Sequence, residues 1–371
     1  MKKMKVVIAL NTAWNLLNFR AGLIKAMLAE GHEVVAVAPH DEYADRVRDL
    51  GCQFVALPMD NQGTNPVRDA LLWWRYRRLL KTLRPDVFLG FTVKPNVYGS
   101  LAARSLGVAV VNNIAGLGSV FNKNNWLTAL VRRLYRLALS GSAKVFFQNQ
   151  DDLDAFVAQG LVNPKVVGLL PGSGVDLTKF QPVPNRPEDG RVVFLLVARM
   201  LWDKGVGEYV QAAAALKAQH PNAEFALLGF LDVQNPTAIG RAQMDEWVKQ
   251  GAVSYWGVSD DVRQALAKAD VVVLPSYREG TPRTLLEAAA MAKPLVTTNA
   301  VGCRDVVDDG VNGYLCELAN VPDLARAMGE MLVLSPEERQ AMGQRGRLKM
   351  ERLYDERLVV GKYLQVLNCL T

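Results

Sequence analysis

Two glutamates in the second half of the chain flank a Gly-Thr-Pro turn. Glu279 and Glu287 are eight residues apart, after an apolar run at residues 271–275 and around a helix predicted to begin near Arg283. Carboxylates in such a place can each accept hydroxyl hydrogen bonds from a sugar or a ribose. The backbone N–H groups and the positive end of the helix dipole also favour an anionic ligand. An isolated pair would more often be structural, but the surrounding strand, turn and helix favour a ligand site.

Arg199 and Lys204 offer positive charge in a similar place, because they follow an apolar run at residues 192–197. When the bond between a sugar and a diphosphate breaks, negative charge grows on the leaving group, and fixed cations nearby lower the barrier. One such contact is typically worth about 3 kcal/mol. An Arg and a Lys at this spacing are otherwise commonly a solvated surface, so their place after a strand is what favours the chemical role.

The sequence predicts no metal site. The Asp-x-Asp at residues 152–154 follows Asn149 at a predicted helix start and is typical of a cap. The four cysteines form no Cys-x-x-Cys and are typical of reduced thiols in a cytosolic protein. The histidines have no zinc-ligand spacing, and they are His32, His40 and His220. We therefore expect neither a metal nor another cofactor.

Short β-branched runs alternate with amphipathic segments along the chain. Nearly continuous apolar strands separated by helices are typical of parallel sheets covered on both faces. Two successive sets predict two doubly wound α/β domains, the expected number for 371 residues. Residues 1–175 are predicted to form the first domain and 185–353 the second, after a linker rich in Gly and Pro. An amphipathic helix at residues 354–371 is expected to pack back on the first domain. The predicted strands lie at 6–10, 34–38, 87–91, 108–112, 145–147, 166–169, 192–197, 224–228, 271–274 and 295–298.

The positive charge is concentrated in the N-terminal half. Residues 1–185 contain 22 Lys and Arg against 13 Asp and Glu, a net charge of +9, whereas residues 186–371 contain 21 against 24, a net charge of −3. Such asymmetry predicts an anionic partner for the first half, which could be membrane headgroups, a diphosphate-bearing lipid or a nucleic acid. Because no apolar run approaches the roughly 20 residues that span a bilayer, we expect a soluble or surface-bound protein.

Two predicted helices of the basic half, at residues 66–86 and 122–137, combine tryptophan and tyrosine with arginine and lysine. Such rings favour the headgroup level, and each basic side chain near an anionic leaflet contributes about 1 kcal/mol. We therefore predict a cytoplasmic protein bound peripherally to the anionic inner face of the cytoplasmic membrane. The alternative is that both helices only pack on the sheet and expose basic faces. The two interpretations can hold together.

Residues 277–290 resemble the signature of the GT-4 family of glycosyltransferases, which have the fold named GT-B. Residues 172–180, 197–205 and 302–313 resemble other signatures of the same family, at corresponding places in the chain. The resemblance implies two Rossmann-like domains that face each other across a cleft. It also implies a retaining, metal-independent transfer of a sugar from a nucleotide sugar, with UDP as the expected nucleotide.

The same resemblance implies roles for single residues of this sequence. Arg199 and Lys204 would hold the donor diphosphate, and Glu279 would contact the donor sugar, so that these three are the implied catalytic residues. Glu287 would contact the ribose. The other implied donor contacts are Gly280, Thr281, Pro282 and Thr284.

Residues 91–100 and 116–121 resemble bacterial GT-4 enzymes that extend sugars on undecaprenyl diphosphate, including α-1,3-N-acetylgalactosaminyltransferases. The resemblance implies transfer of an N-acetylhexosamine or hexose to a polyprenyl-diphosphate-linked glycan. Glycine-bearing loops beside Lys94 could receive the lipid diphosphate, or they are ordinary turns. Residues 11–20 lack the glycine-rich loop of many GT-4 members, and residues 113–119 lack a histidine that many members place there. The acceptor candidates are Asn15, Arg20, Lys94, Gly116 and Gly118.

Two other functions compete with this interpretation. A nucleotide-sugar 2-epimerase shares the GT-B architecture but needs acid and base residues at the sugar and no acceptor. A non-enzymatic nucleic-acid binder would use the basic half, but the chain has no RRM, KH or zinc signature. The net negative charge of the other half also disfavours contact with a nucleic acid. We expect a nucleotide sugar and a lipid-linked diphosphate glycan as partners, and no nucleic acid.

Overall fold

The computed structural model describes residues 3–60, 65–116, 126–183 and 190–370. The chain divides into two units. The first contains Met1–Ser173 together with Glu356–Thr371, and the second contains Gly174–Asp355. Each unit is built around a parallel β-sheet.

The sheet of the first unit contains the strands β1 (Lys5–Ala9), β2 (Glu33–Ala38), β3 (Gln53–Ala56), β4 (Val87–Phe91), β5 (Ala109–Ile114), β6 (Lys144–Phe147) and β7 (Val167–Leu169). They are parallel, in the order β3-β2-β1-β4-β5-β6-β7. Successive residues of β1 point into different cores, Val6 and Ile8 into one, Val7 and Ala9 into another. Because both faces are covered, the strand is a continuous apolar run.

The helices of the first unit are α1 (Ala13–Ala29), α2 (Ala44–Arg48), α3 (Pro66–Leu83), α4 (Ser100–Arg104), α5 (Trp126–Leu139) and α6 (Gln150–Ala158). A π-helical turn at Pro95–Gly99 precedes α4, and a 3-10 turn at Pro164–Val166 precedes β7. Local sequence sets the helix starts. The Thr12 side chain caps α1, and the Asn65 side chain caps α3 just before a proline at the first helical position.

The sheet of the second unit contains the strands β8 (Val192–Val197), β9 (Ala223–Leu228), β10 (Ser254–Tyr255), β11 (Val271–Leu274), β12 (Leu295–Thr298) and β13 (Gly313–Cys316). They are also parallel, in the order β10-β9-β8-β11-β12-β13. The helices are α7 (Val206–Gln219), α8 (Arg241–Lys249), α9 (Val262–Lys268), α10 (Arg283–Ala290), α11 (Val321–Val333) and α12 (Pro336–Lys349). A 3-10 turn at Trp202–Lys204 precedes α7, and a π-helical turn at Met350–Tyr354 follows α12. The two sheets confirm the predicted doubly wound α/β class.

The last helix, α13 (Glu356–Cys369), belongs to the first unit. Its buried residues Val359, Tyr363 and Leu367 are spaced by four, so they share one face, which packs in the same core as α1. The Tyr363 hydroxyl accepts a hydrogen bond of 2.9 Å from the side chain of Asn113 in β5. The C-terminal segment is thus tied to the first sheet by both apolar packing and a buried hydrogen bond.

Each sheet has a point at which the strand order reverses. It lies between β1 and β4 in the first sheet and between β8 and β11 in the second. Loops that leave two such strands turn toward opposite faces, which opens a crevice at the carboxyl edge, where ligands bind in sheets of this kind. The predicted donor residues of the second unit follow the two strands at its switch point.

Candidate functional site

The loops after β8 and β11 carry three of the predicted residues. Arg199 and Lys204 follow β8, and Glu279 follows β11. Lys204 Nζ and Glu279 Oε1 form an ion pair in which 19% and 16% of the two side-chain surfaces are exposed. The fold therefore brings together a cation and a carboxylate that are 75 residues apart in the sequence.

The backbone holds these two loops in contact. The Tyr277 N–H donates a hydrogen bond of 3.0 Å to the Asp203 carbonyl oxygen, and the Ser276 hydroxyl donates to the same oxygen at 3.3 Å. Gly205 has a φ of 69°, and a Cβ atom there would lie 2.1 Å from the Pro275 carbonyl oxygen. Because only glycine fits, the Lys-Gly dipeptide is a geometric requirement of the contact between the loops.

A third loop, after β12, supports Glu279. The Glu279 N–H donates a hydrogen bond of 3.0 Å to the Val301 carbonyl oxygen. Gly302 has a φ of 80°, and a Cβ atom there would lie 2.4 Å from the Glu279 carbonyl oxygen. The backbone of Glu279 is thus held by its neighbours on two loops, which limits where its carboxylate can lie.

Helix α10 begins beside the same loops. Its N-cap residue, Pro282, makes no side-chain cap hydrogen bond. The Thr284 hydroxyl donates a hydrogen bond of 3.2 Å to the carbonyl oxygen of Val197, the last residue of β8. This bond fixes the start of α10 at the end of β8, so the positive end of its dipole lies at the switch point. Gly280 and Pro282 are buried there, and Thr281 is half-buried.

Glu287 lies in the second turn of α10 and is paired within the helix. Arg283 Nε donates a hydrogen bond of 2.6 Å to Glu287 Oε1, with 19% and 13% of the two side-chain surfaces exposed. Burial raises the pKa of the Glu287 carboxyl above its ordinary value, and the Arg283 cation opposes that rise only in part. Ionisation of Glu287 therefore costs folding stability, and a purely structural position would not need such a carboxylate. Glu287 is thus a candidate for binding ligand hydroxyls.

Arg199 lies at the same sheet edge but outside both pairs. Its side chain is exposed and, within the described ranges, has no hydrogen bond or ion pair. The structure thus pairs Lys204 with Glu279 and Glu287 with a neighbouring arginine, and it leaves Arg199 facing solvent.

Three further side chains of the site were not predicted from the sequence. Arg283 has a usable signal, because it precedes Glu287 by four positions on a predicted helix. Tyr277 and Glu208 form a hydrogen bond between Tyr277 Oη and Glu208 Oε1 across 69 residues of sequence. No local pattern indicates that second pair.

The acceptor candidates at the start of the first unit have local partners. Asn15 Nδ2 donates a hydrogen bond of 2.7 Å to Asn11 Oδ1. Arg20 is buried, and its guanidinium carbon lies 4.3 Å from the centroid of the Phe91 ring. The Asp41 carboxylate accepts two backbone hydrogen bonds, of 2.9 and 3.2 Å, from the first turn of α1. The start of this helix therefore already holds an anion of the chain itself.

Lys94, the candidate for the lipid diphosphate, is also engaged. Its Nζ forms an ion pair of 2.8 Å with Asp69 Oδ1 of α3, and only 14% and 12% of the two side-chain surfaces are exposed. The Tyr98 hydroxyl donates to the other oxygen of Asp69 at 2.8 Å. Lys94 therefore fastens α3 to the segment after β4. Gly116 has a φ of 133°, which favours glycine, and Gly118 lies outside the described residues.

Helix α3 has a buried face and an exposed face. Leu72, Tyr76 and Leu80 are buried and pack on the first sheet. The Arg78 guanidinium carbon lies 5.6 Å from the centroid of the Trp74 ring on the exposed face. That exposed face, named the α3 surface below, consists of Val67, Leu71, Trp74, Arg78 and Lys81.

The described part of the chain contains no group of three His, Cys, Asp or Glu side chains that could hold a metal ion. In the Asp-x-Asp segment, the N–H of Asp152 donates a hydrogen bond of 2.8 Å to the Asn149 side chain at the start of α6, the capping arrangement expected there. Among the helices that the structure describes, none is long and apolar enough to cross a membrane.

Two protein-family models match the chain, one in each unit. A family described as "Glycosyl transferase 4-like domain" matches residues 19–172. A family described as "Glycosyl transferases group 1" matches residues 191–333 and so contains both ion pairs of the site. Together the two matches cover most of the chain.

Curated relatives resemble the chain in sequence, and solved structures resemble it in fold. The N,N'-diacetylbacillosaminyl-diphospho-undecaprenol alpha-1,3-N-acetylgalactosaminyltransferase of Campylobacter jejuni is 29% identical over 365 residues, covering 94% of each chain. The UDP-Gal:alpha-D-GlcNAc-diphosphoundecaprenol alpha-1,3-galactosyltransferase of Escherichia coli is 26% identical over 263 residues, covering 68% of this chain and 67% of that one. A crystal structure of a glycosyltransferase from Rickettsia africae matches the fold with a TM-score of 0.80 at 15% identity, covering 100% of this chain and 99% of that one. The chain therefore belongs to the GT-4 family of glycosyltransferases, which have the GT-B fold.

Proposed function

We propose that this glycosyltransferase transfers a sugar, with retention of configuration, from a UDP-sugar to a glycan carried on a polyprenyl diphosphate. One observation carries the proposal: Lys204 and Glu279 pair at the switch point of the second sheet, where α10 begins. A cation suited to a diphosphate, a carboxylate suited to sugar hydroxyls and the positive end of a helix dipole thus share one crevice.

The bond that breaks joins the anomeric carbon of the donor sugar to the diphosphate. Negative charge then grows on the departing UDP, and Lys204 and Arg199 stabilise it. Lys204 exchanges its partner from Glu279 to the diphosphate, so that the Glu279 carboxylate accepts hydrogen bonds from the hydroxyls of the sugar. Glu287, at the second turn of α10, accepts hydrogen bonds from the ribose.

The acceptor hydroxyl forms the new bond on the face of the sugar from which UDP departs. Its proton passes to an oxygen of the leaving phosphate, so the step needs neither a covalent side-chain nucleophile nor a side-chain base. The positive charge that stabilises the leaving group comes from side chains, and we therefore propose a reaction that requires no metal ion.

The names of the relatives support the substrates. Both relatives reported above act, by name, on a sugar linked to diphospho-undecaprenol and form an α-1,3 linkage. The second name specifies UDP-Gal as the donor, and the first specifies transfer of N-acetylgalactosamine. We propose the corresponding classes here, a UDP-linked hexose or N-acetylhexosamine as donor and a lipid-linked diphosphate glycan as acceptor.

A lipid-linked acceptor requires contact with a membrane, and the α3 surface supports such contact. It combines a tryptophan, which is 51% exposed, with two cations in the half of the chain whose net charge is +9. Aromatic and basic side chains on one helix face are typical of binding to an anionic leaflet. We propose that the protein is peripheral, at the cytoplasmic face of the membrane.

A screen of nucleotide sugars for thermal stabilisation tests the donor class. A ligand that binds only the native protein stabilises it by about 2.7 kcal/mol at 100 times its dissociation constant. We expect UDP-sugars to raise the melting temperature of the wild type and to have a much smaller effect on Lys204→Ala. Equal stabilisation of both proteins, or none by any UDP-sugar, would refute the proposed donor site.

Incubation with the stabilising donor alone separates transfer from epimerisation. An epimerase converts the sugar without an acceptor, whereas a transferase at most hydrolyses the donor slowly. The names of the relatives favour transfer, and we expect no epimer in the products.

A further inference from the structure

A further side-chain contact joins the loop that carries Glu279 to the start of α7, which directly follows the loop that carries Lys204. Tyr277, two residues before Glu279, donates its hydroxyl hydrogen to Oε1 of Glu208, which lies in the first turn of α7. Both partners are close in sequence to the ion pair, because Glu208 follows Lys204 by four residues. The segments after β8 and β11 are therefore connected at the ion pair, at the backbone of Asp203 and at this hydrogen bond.

The contact is not explained by stability alone. The other carboxylate oxygen of Glu208, Oε2, is buried and has no hydrogen-bond partner in the part of the chain that the structure describes. A buried carboxylate oxygen without a partner destabilises the folded state, so an apolar side chain would be the more stable choice at this position. Burial and the Glu208 carboxylate raise the pKa of Tyr277 to about 12. Its hydroxyl thus remains protonated and donates at neutral pH.

The contact has a direct consequence for Glu279. Tyr277 is held at two points, by its hydroxyl on Glu208 and by its N–H on the Asp203 carbonyl oxygen, 3.0 Å away. Its ring therefore fixes the direction in which the chain continues to Glu279. If the Tyr277 hydroxyl loses its partner, the loop after β11 keeps its backbone contacts. The Glu279 carboxylate, however, becomes more mobile at the proposed donor site.

We propose that Tyr277 and Glu208 are positioning residues, which hold the Glu279 carboxylate at the donor sugar relative to Lys204 at the diphosphate. The inference rests on the proposed function of the Lys204–Glu279 pair. It assigns to Tyr277 and Glu208 an effect on the sugar-transfer step and not on the binding of the nucleotide, whose ribose is assigned to Glu287.

Tyr277→Phe tests the proposal, with kcat and KM for the UDP-sugar and the dissociation constant for UDP alone as readouts. Misplacement of a substrate-positioning group by about 1 Å can reduce a rate by up to about 100-fold. We expect kcat to fall about 10-fold or more, and the dissociation constant for UDP to change less than about twofold. Glu208→Leu should reproduce this split, whereas Glu208→Gln, which keeps a hydrogen-bond acceptor, should restore most of kcat.

Tyr209→Phe is the matched control. Tyr209 lies in the same helix as Glu208, and its buried hydroxyl donates a hydrogen bond of 3.0 Å to the Phe194 carbonyl oxygen in the core of the second unit. This variant also loses a buried phenol hydrogen bond, so it should be less stable than the wild type but should keep its kcat.

A kcat of Tyr277→Phe within twofold of the wild type would overturn the inference, as would equal losses of kcat and UDP affinity in Tyr277→Phe. Lys204→Ala and Glu279→Ala, measured in parallel, separate this failure from failure of the proposed function. If those two variants keep the wild-type rate, the donor site itself is wrong. If they lose activity while Tyr277→Phe does not, only the positioning role is wrong.

Discussion

Lys204 and Arg283 each pair with one carboxylate of the proposed donor site, Glu279 and Glu287 respectively. A mostly buried charge is less destabilising when it is paired and hydrogen-bonded. The two pairs therefore hold both carboxylates in position. In the proposed reaction, the donor diphosphate replaces Glu279 as the counter-ion of Lys204, and this leaves the Glu279 carboxylate available to the sugar.

Glu287→Gln should increase stability at neutral pH. Burial raises the pKa of Glu287 in the folded protein above its value in the unfolded chain, so the folded state binds this proton more tightly and loses stability as the pH rises through the raised pKa. A glutamine removes that loss and can still accept a hydrogen bond from Arg283. We expect a higher free energy of unfolding for the variant at pH 7 to 8, measured by urea denaturation.

The sign of the pH dependence provides the control for this prediction. As the pH falls toward the ordinary range of a glutamate, near about 4.3, the wild-type carboxylate takes up its proton and the difference between the two proteins should shrink. The prediction is wrong if the variant has a lower free energy of unfolding than the wild type at pH 7 to 8 and the difference does not change with pH. Ionisation of Glu287 would then cost no folding stability.

At the scale of loops and helices, close backbone contacts place the site residues. Gly205 and Gly302 both have positive φ, and each lies where a Cβ atom would overlap a carbonyl oxygen of the loop after β11. Three separate loops at the carboxyl edge of the second sheet thus form one contact surface beneath Lys204 and Glu279. Any side chain at either glycine must push these loops apart.

Gly205→Ala should therefore reduce both stability and transfer. A non-glycine residue in the left-handed region costs about 1 to 2 kcal/mol, and the overlap with the Pro275 carbonyl oxygen adds a forced backbone shift of about 1 to 3 kcal/mol. Gly251→Ala is the matched control, because Gly251 has a φ of 76° with no atom within 4 Å of a Cβ. It should show only the first cost and keep its activity. Equal stability losses in the two variants, measured by urea denaturation, would contradict the contact.

The strands that are buried on both faces were predictable from the sequence, and so was the half-buried edge strand β7. The central strands β1, β4, β8 and β11 coincide with predicted apolar runs. The strands β3, β10 and β13 were not predicted. They lie at the edges of their sheets, and each contains half-buried or exposed residues. An edge strand has a neighbour on one side only, so its apolar pattern is weaker.

The individual residues of the candidate site were predictable from separate sequence motifs. The motifs indicated Lys204, Glu279 and Glu287, because each lies just after a strand or at a helix start. The contacts among them were not predictable. The Lys204–Glu279 and Tyr277–Glu208 pairs depend on β8 and β11 being neighbours, and strand order cannot be read from local periodicity. The contact of Lys94 was not predictable for the same reason, because its partner on α3 is 25 residues away.

At the scale of the whole molecule, the charge is divided unevenly between the two halves of the chain, residues 1–185 and 186–371. The N-terminal half carries +9 and the C-terminal half −3, and the α3 surface presents part of the basic excess beside an exposed tryptophan. The ion pair between Lys94 and Asp69 and the buried face of α3 attach this helix firmly to the first sheet. Membrane contact on the α3 surface would therefore orient the entire first unit.

Reversal of two charges on the α3 surface should weaken binding to anionic vesicles. Arg78→Glu with Lys81→Glu removes two cations worth about 1 kcal/mol each, so the affinity should fall on the order of 30-fold or more. Co-sedimentation with vesicles that contain anionic lipid measures this. Lys249→Glu with Lys268→Glu makes the same charge change at exposed positions of the second unit and should have a much smaller effect. Equal effects of both variants would indicate a response to net charge alone and would remove the membrane role of α3.

The most direct test of the donor site is the initial rate of sugar transfer from the best-stabilising UDP-sugar to a short polyprenyl-diphosphate glycan. Lys204→Ala and Glu279→Ala each remove one member of the ion pair, and Lys249→Ala is the control. We expect the rate to fall by about 100- to 1,000-fold in the first two variants, as is typical when a group that stabilises the transition state is lost, while the control keeps the wild-type rate. Folded Lys204→Ala and Glu279→Ala proteins with rates within about threefold of the wild type would contradict the account.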